Sequence, residues 1–315
     1  MEKPMNVAIF GASGHIGKGL IGQFLKEREK CMLYAFSRSE RNLANFIEGK
    51  AYQGLCVLEY EKFNQHEHDI IINCVGAGTP QKISELGGDL LSITERFDDM
   101  AIEYLKENPS ALYINMSSGA VYGRTISDPI TSECRLELNI NNMGLADCYL
   151  LSKLNSEVKH RAYADLNIVD LRVFGYISEY IDLGSKFLLT EMIECVRNSS
   201  VFRTDEFNIV RDYIDQEGLF RIVKLLIETR KINDYFDVYT KMPSSKLEIL
   251  EQFENRYGLE YMVEKLDLNH SPTGRKEKYY SIHKKLGKLG YQPIRSSLES
   301  IIKETDKILK YETRE

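Results

Sequence analysis

The chain has 315 residues, with 41 Lys+Arg against 47 Asp+Glu and a formal net charge of −6. That acidic balance argues against general nucleic-acid or anionic-membrane binding, which needs a basic surface. Apolar residues at 43% and charged residues at 28% exclude bulk disorder, and the length predicts about two domains at roughly 150 residues each. No apolar run approaches the roughly 18–20 residues of a membrane span. The first apolar run, Val7–Phe10, is too short for a signal peptide. Cys31, Cys56, Cys74, Cys134, Cys148 and Cys195 form no C-x-x-C pair, so free thiols in a reducing cytoplasm are expected. The histidines show no metal-ligand spacing, and no metal is expected.

In chain order, Asn6–Phe10 reads as a buried strand. Ile16, Leu20, Ile21, Phe24 and Leu25 then recur at helical spacing. Met32–Ser37, Leu55–Glu59 and Ile70–Val75 read as further strands, Ile93–Leu105 as a helix and Ala111–Ser117 as a strand. Leu145–Tyr163 reads as a long helix with Leu150, Leu154 and Val158 on its core stripe, and Asn167–Phe174 as the next strand. Alternation of this kind predicts an α/β fold: a Rossmann-type doubly wound parallel sheet with helices on both faces. After Phe174 the pattern changes. Phe187–Val196, Leu219–Thr229, Lys246–Tyr257 and Ser297–Tyr311 read as helices, and Asn208–Ile214 as a returning strand. The expected division is a first domain over 1–175 and a smaller, mostly helical region over 176–315. Residues 208–230 are expected to return to the first domain.

Four segments carry chemistry. The first is Gly11-Ala12-Ser13-Gly14-His15-Ile16-Gly17, directly after a strand and opening a helix. Glycines there permit a tight turn, close approach of a pyrophosphate and close helix–strand packing. The helix N-terminus then holds the phosphates. Gly11, Ser13, Gly14, His15, Ile16 and Gly17 are the candidate cofactor contacts. Second, an NAD site places an acid at the end of the second strand to hold the ribose 2′-hydroxyl. This chain has Ser37 and Arg38 there, with Arg41 beyond. A guanidinium suits a 2′-phosphate, so NADP is expected, with NAD the alternative. Third is Ser117-Ser118-Gly119-Ala120-Val121-Tyr122-Gly123 at a strand's carboxyl end, where such sheets gather catalytic groups. Fourth is Tyr149 and Lys153, one helical turn apart, where the ammonium is expected to lower the tyrosine pKa. The same spacing at Tyr261/Lys265 and Tyr280/Lys284 is read as chance. The copy on the helix after the serine strand is singled out by its context.

Together these segments resemble the extended short-chain dehydrogenase/reductase family, in its nucleotide-sugar epimerase/dehydratase branch, over nearly the whole chain, which implies that 1–175 is an NAD(P)-binding Rossmann domain and 176–315 a substrate-binding region. The resemblance implies catalytic Ser118, Tyr149 and Lys153, with Lys153 also on the nicotinamide ribose and Ser118 also on the substrate. Val210-Arg211-Asp212-Tyr213-Ile214 is similar to the family's R-D-Y-I element, which places Arg211 on the nucleotide diphosphate. Leu289-Gly290-Tyr291-Gln292-Pro293 resembles its L-G-[FWY]-x-P ending. Arg275 is a second candidate for the diphosphate, on a looser match.

The chain also departs from the family. Gly119 and Ala120 replace the Asp-Glu pair of 4,6-dehydratases, so water elimination is not expected. Gly175 stands where many members carry asparagine, and Asp215 where histidine is usual. The resemblance thus implies an NADP(H)-dependent oxidoreductase on a nucleotide-linked, deoxy-type sugar, most simply a 4-keto reductase. A C4 epimerase with retained NAD(P) is the alternative, and a non-catalytic NADP-binding regulator a third. The expected partner is a nucleotide sugar, with neither nucleic acid nor membrane. A homodimer is allowed for, since oligomeric state leaves no pattern to read.

Overall fold

The computed structural model describes residues 4–26, 31–39, 43, 46, 54–229, 231–264 and 276–312. Six strands arise in the first 175 residues: β1 (Met5–Phe10), β2 (Cys31–Phe36), β3 (Leu55–Leu58), β4 (Ile70–Asn73), β5 (Leu112–Ser118) and β6 (Ile168–Val173). Four short strands follow: β7 (Tyr176–Ile177), β8 (Phe202–Thr204), β9 (Val210–Arg211) and β10 (Ile214–Asp215). Then β11 (Asn233–Asp237) returns to complete one seven-stranded sheet of order β11-β6-β5-β4-β1-β2-β3. Every neighbouring pair in it is parallel. The strand order reverses between β1 and β4, and that switch point opens the crevice where ligands of such sheets sit.

Alternation along the strands explains the two covered faces. Val7 and Ile9 of β1 face a core shared with α1 (His15–Lys26). Ala8 and Phe10 face the opposite core. The helices α2 (Pro80–Leu86), α3 (Asp89–Glu107), α4 (Leu145–Ala162) and α5 (Leu188–Arg197) precede α6 (Gln216–Thr229). α6 packs beside α1, with Phe24 and Phe220 edge to face at 4.7 Å. Phe97, Ala101 and Leu105 of α3 cover the other face. After β11 come β12 (Ser244–Ser245), α7 (Lys246–Tyr257), β13 (Tyr261–Val263), β14 (Lys278–Tyr279) and α8 (Ser297–Glu312). A separate apolar core joins α5, α7 and α8 through Met192, Ile193, Ile249, Phe253 and Ile301.

Two expectations need correction. The strand expected over 208–214 is two short strands with Asp212 and Tyr213 between them. β9 pairs with β12 and β14, while β10 pairs with β7. The break is held by Asp212, whose carboxylate accepts from the Thr240 N–H (2.9 Å) and hydroxyl (2.5 Å). Secondly, α4 does not bury the stripe Leu150–Leu154–Val158. Val158 is 62% exposed, and the buried side chains beyond Leu150 are Ser152, Lys153, Ser156, Glu157 and His160.

That buried face is polar because it meets carboxylates. His160 Nε2 lies 2.6 Å from Asp98 on α3, and Nδ1 lies 2.9 Å from Asp170 on β6. Burial opposes the imidazolium, but the two carboxylates outweigh it and raise His160 to about 9. The Asp98 carboxyl is held below its usual range, against burial, by His160 and Lys159. Since the folded pKa of His160 exceeds its unfolded value, its stabilisation is complete below about pH 6.5 and is lost as pH rises through about 9. We predict that urea unfolding at pH 6.5 and pH 9.5 differs by on the order of 3 kcal/mol from this group. His160→Ala should flatten that dependence. It should also cost about 3–5 kcal/mol at pH 6.5, because two buried carboxylates lose their shared counter-ion. An unchanged pH profile in the variant would contradict this account.

Candidate active site

The glycine loop lies at the switch point. Gly11 has φ +68°, and a Cβ there would sit 2.9 Å from the Cys74 carbonyl. At Gly17 a Cβ would sit 2.4 Å from the Gly11 carbonyl oxygen, so only hydrogen fits. The Gly14 N–H donates to the Gly11 carbonyl at 2.9 Å and closes the turn. The Gly11 N–H donates to the Tyr60 hydroxyl at 2.8 Å, and the Ala12 N–H to the Phe36 carbonyl at 3.1 Å. Burial pushes the Tyr60 phenol up to about 12, so it stays protonated.

The other expected cofactor residues have distinct surroundings. The Ser37 hydroxyl is buried and spent on Ser13 Oγ (3.2 Å) and the Ser39 carbonyl (3.1 Å). Arg38 is exposed and forms no ion pair with a described residue. His15 lies edge-on to Tyr176 at 4.6 Å, and burial lowers it to about 3, leaving a neutral ring whose Nε2 has no hydrogen-bond partner. Ile16 packs against the core beneath the loop. A cradle that a single Cβ would fill, at the start of a helix, fits a dinucleotide pyrophosphate. Arg41 and Arg275 lie outside the described residues.

Ser118 ends β5. Its Oγ accepts from the Ala120 N–H at 3.2 Å, capping the short 3₁₀ turn Gly119–Tyr122. Tyr149, on the first turns of α4, is half-buried against Ala77, Ile83 and Leu90. The Ser118 hydroxyl lies close enough to its phenol to act on its pKa. Lys153 is buried one turn on, and its ammonium donates to the Met116 carbonyl at 2.9 Å. The expected fall in the Tyr149 pKa is not found. Burial raises it, opposed by the Ser118 hydroxyl. Lys153 is itself lowered by burial, against the fields of Asp98, Cys74, Asp170 and Glu157.

The departures from the family pattern have local causes. A Cβ at Gly119 would meet the Phe174 ring at 2.5 Å, so a carboxylate has no room there. A Cβ at Gly175 would meet the Asp212 carbonyl and the Tyr213 ring at 2.7 Å, which excludes asparagine. Asp215 caps α6 by accepting from the Gly218 N–H (2.8 Å) and pairs with Arg295 and Lys303. Tyr122 is locked as well. Its hydroxyl donates to Asp237 (2.9 Å) and accepts from Arg172 (2.7 Å), which also pairs with Glu157.

A cation pair faces the Ser118 end. Arg211 on β9 donates to the Val210 carbonyl at 2.9 Å, and Lys276 lies 4.2 Å from the centre of the Tyr279 ring. The Arg211 guanidinium stands 5.8 Å from the same ring. Neither cation has a carboxylate partner among the described residues. Burial, with the neighbouring guanidinium, lowers Lys276 to about 8, and burial also lowers Arg211. The Tyr279 hydroxyl is 3.4 Å from Ser118 Oγ. One aromatic ring therefore separates the hydroxyl centre from the cations. Lys276 and Tyr279 were not singled out from the sequence. No local pattern marks them.

The model of the NAD dependent epimerase/dehydratase family matches residues 7–238. The chain belongs to that family, a family of enzymes. No curated protein matches the sequence. Solved structures share the fold at low identity. A UDP-N-acetylglucosamine 4-epimerase from Methanobrevibacter ruminantium M1, in complex with UDP-N-acetylmuramic acid, is 16% identical with TM-score 0.81, covering 99% of this chain and 100% of that one. A UDP-glucuronic acid 4-epimerase from Bacillus cereus, with UDP-glucuronic acid and NAD, is 17% identical with TM-score 0.79, covering 98% and 100%. A dTDP-glucose 4,6-dehydratase from Bacillus anthracis, with NAD, is 15% identical with TM-score 0.75, covering 98% of each chain. Two of these three structures hold NAD, the matched family is NAD dependent, and the glycine cradle leaves room for a pyrophosphate.

Two half-hidden cations without counter-ions are costly unless an anion joins them. A multiply charged anion should therefore bind the ligand-free protein, and more weakly as salt screens the charges. We predict that Arg211→Ala and Lys276→Ala each weaken pyrophosphate binding about tenfold or more in calorimetric titration, on the scale of a charge-assisted hydrogen bond. Retained affinity in both variants would remove the cation pair from the anion site.

Proposed function

We propose that this enzyme is an NADP(H)-dependent oxidoreductase acting on a nucleotide-linked sugar, most simply reducing a 4-keto group. The observation that carries the reading is the juxtaposition of the Ser118–Tyr149 hydroxyl pair with the Arg211–Lys276 cation pair across Tyr279. That span suits a sugar whose diphosphate lies on the cations. The chemistry a bound nicotinamide supplies is hydride transfer to or from a sugar carbon. Tyr149 gives its phenolic proton to the sugar oxygen as the carbonyl becomes an alcohol, and Ser118 holds that oxygen. Lys153 keeps two further ammonium hydrogens beyond its bond to Met116, enough to bind ribose hydroxyls. The glycine loop with Ser13, His15 and Ile16 holds the pyrophosphate end, and residues 176–315 supply the diphosphate contacts. Elimination of water is not part of this reading, since Gly119 and Ala120 carry no acid or base. Six free cysteines fit a cytoplasmic setting.

NADP is favoured by Arg38, exposed just after β2, whose guanidinium can meet a 2′-phosphate. Arg38→Ala should weaken NADP by about 1–3 kcal/mol and leave NAD nearly unchanged. A wild-type enzyme that binds NAD more tightly by fluorescence titration would overturn this choice. A second reading is a nucleotide-sugar 4-epimerase with retained cofactor, favoured by the fold shared with the two 4-epimerases. The experiment offers 4-keto and 4-hydroxy nucleotide sugars with NADPH and NADP. Net NADPH oxidation supports the reductase, and inversion at C4 without net oxidation supports the epimerase. Under either reading Tyr149→Phe should lower turnover about 10²–10⁴-fold with dinucleotide affinity intact. Equal turnover on a verified substrate would take Tyr149 out of the mechanism.

A further inference from the structure

Ser118 has more partners than a substrate-holding hydroxyl needs. A hydroxyl oxygen carries one hydrogen and two lone pairs. At Ser118 one lone pair takes the Ala120 N–H at 3.2 Å. The Tyr149 phenol is close enough for Ser118 to oppose the rise in its pKa. The Tyr279 hydroxyl, on the far strand β14, stands 3.4 Å away. The direction of that last contact follows from satisfaction. Tyr279 is buried, and its hydroxyl bonds no other described group. If Ser118 donated to Tyr279, the phenolic hydrogen of Tyr279 would have no acceptor, an expensive state for a buried donor. If Tyr279 donates, its hydrogen is satisfied and both Ser118 lone pairs are filled. The Ser118 hydrogen then has one direction left, toward Tyr149 and the reacting oxygen.

We propose that Tyr279 is a positioning residue of the reaction, donating to Ser118 so that the Ser118 hydrogen is aimed at Tyr149 and the substrate oxygen. The inference rests on the Ser118–Tyr149 chemistry proposed above. The ring is held for this task. Phe174 meets it edge-on at 5.0 Å, and the cations Lys276 and Arg211 lie toward its ring at 4.2 and 5.8 Å. Burial keeps the phenol well above its ordinary pKa, so it remains a donor throughout the working range. The long resting distance is of the kind that shortens when substrate fills a site.

The test is a double-mutant cycle in the full chain with Tyr279→Phe, Ser118→Ala and both. Tyr279→Phe should lower kcat about tenfold or more, with KM for the nucleotide sugar within about twofold, as for an interaction that matters only in the transition state. In the Ser118→Ala background the same change should have no further effect. A second readout needs no turnover: tyrosine isotope-labelled at Cζ, in the NADP-bound protein, with Tyr149 assigned from Tyr149→Phe. Tyr279→Phe should move the Tyr149 resonance when Ser118 is present and leave it in place in Ser118→Ala. Equal kcat losses in both backgrounds, a loss expressed mainly in KM, or equal resonance shifts in both backgrounds would each overturn the proposal. If the wild type turns over no nucleotide sugar, the functional reading falls, and the resonance comparison alone decides the role of Tyr279.

Discussion

A buried imidazole held between two buried carboxylates fixes α4, the helix that carries Tyr149 and Lys153. Asp98, His160 and Asp170 are each 1% exposed or less. Isolated, any of these charges would be prohibitive, yet together they satisfy one another. The network extends beyond the triad. The Tyr113 hydroxyl donates to Asp98 at 3.0 Å, and Asn73 at the end of β4 donates to Tyr113 at 2.9 Å. The Asn73 carbonyl oxygen in turn accepts from the Val75 N–H at 2.9 Å, in the loop that borders the cofactor crevice. One polar chain therefore runs from the switch point of the sheet to α4. An apolar face on α4 could stabilise it as well, but would let it slide. Directional bonds to α3 and β6 set its rotation, and with it where Tyr149 and Lys153 point.

A second polar chain grips the same helix nearer the chemistry. The Ser117 hydroxyl donates to Glu157 at 2.6 Å, and Arg172 joins Glu157 to Tyr122, which bonds Asp237 on β11. Asp237 also accepts from the Ser281 hydroxyl at 2.6 Å, two residues after Tyr279. The end of β5, the helix α4, the seventh strand and the segment that carries Tyr279 thus share one set of charges. Such a set is high-stakes: fully bonded it specifies a single arrangement, and breaking one member strands the others. Its members are short of spare capacity, which is why Tyr122, although part of the serine motif, is unavailable to a substrate.

The sequence made some of this legible and hid the rest for identifiable reasons. The glycine loop could be read because sterics leave no substitute at Gly11 or Gly17. Ser118, Tyr149 and Lys153 could be read because they lie on consecutive strand and helix in a recurring order. β11 was missed because Asn-Asp-Tyr-Phe-Asp lacks an apolar run. It is an edge strand, and Asn233 spends its amide on the carbonyls of His160, Tyr163 and Leu166. Val158 was misassigned because periodicity counts apolar residues, whereas α4 buries charges. Lys276 and Tyr279 were invisible for a different reason. They reach Arg211 and Ser118 only through long-range pairing of β14 with β9, which no local pattern encodes.

That pairing also explains how the cations are kept ready without a ligand. β9 and β14 lie side by side in a small sheet with β12, and Lys246, the first residue of α7, donates its backbone N–H to the Ile209 carbonyl at 2.8 Å. Asp212, next to Arg211, is bonded to Thr240, just beyond β11. Arg211 itself uses carbonyl oxygens, and Lys276 leans on an aromatic face, rather than either reaching a carboxylate. Carbonyl dipoles and a ring quadrupole attract a cation without neutralising it. A carboxylate partner would have stabilised these residues more in the free protein, and would have had to be displaced by every incoming phosphate. The fold instead accepts a partly unpaid charge, visible as the lowered pKa of Lys276 and Arg211, and leaves the field of both cations directed at the cleft. Since the small sheet is tied to the large one through Asp212–Thr240 and Ser281–Asp237, that field has a fixed distance to Ser118. The same ties that hold the cations apart from any described acid therefore also set where they stand relative to Tyr279 and Ser118.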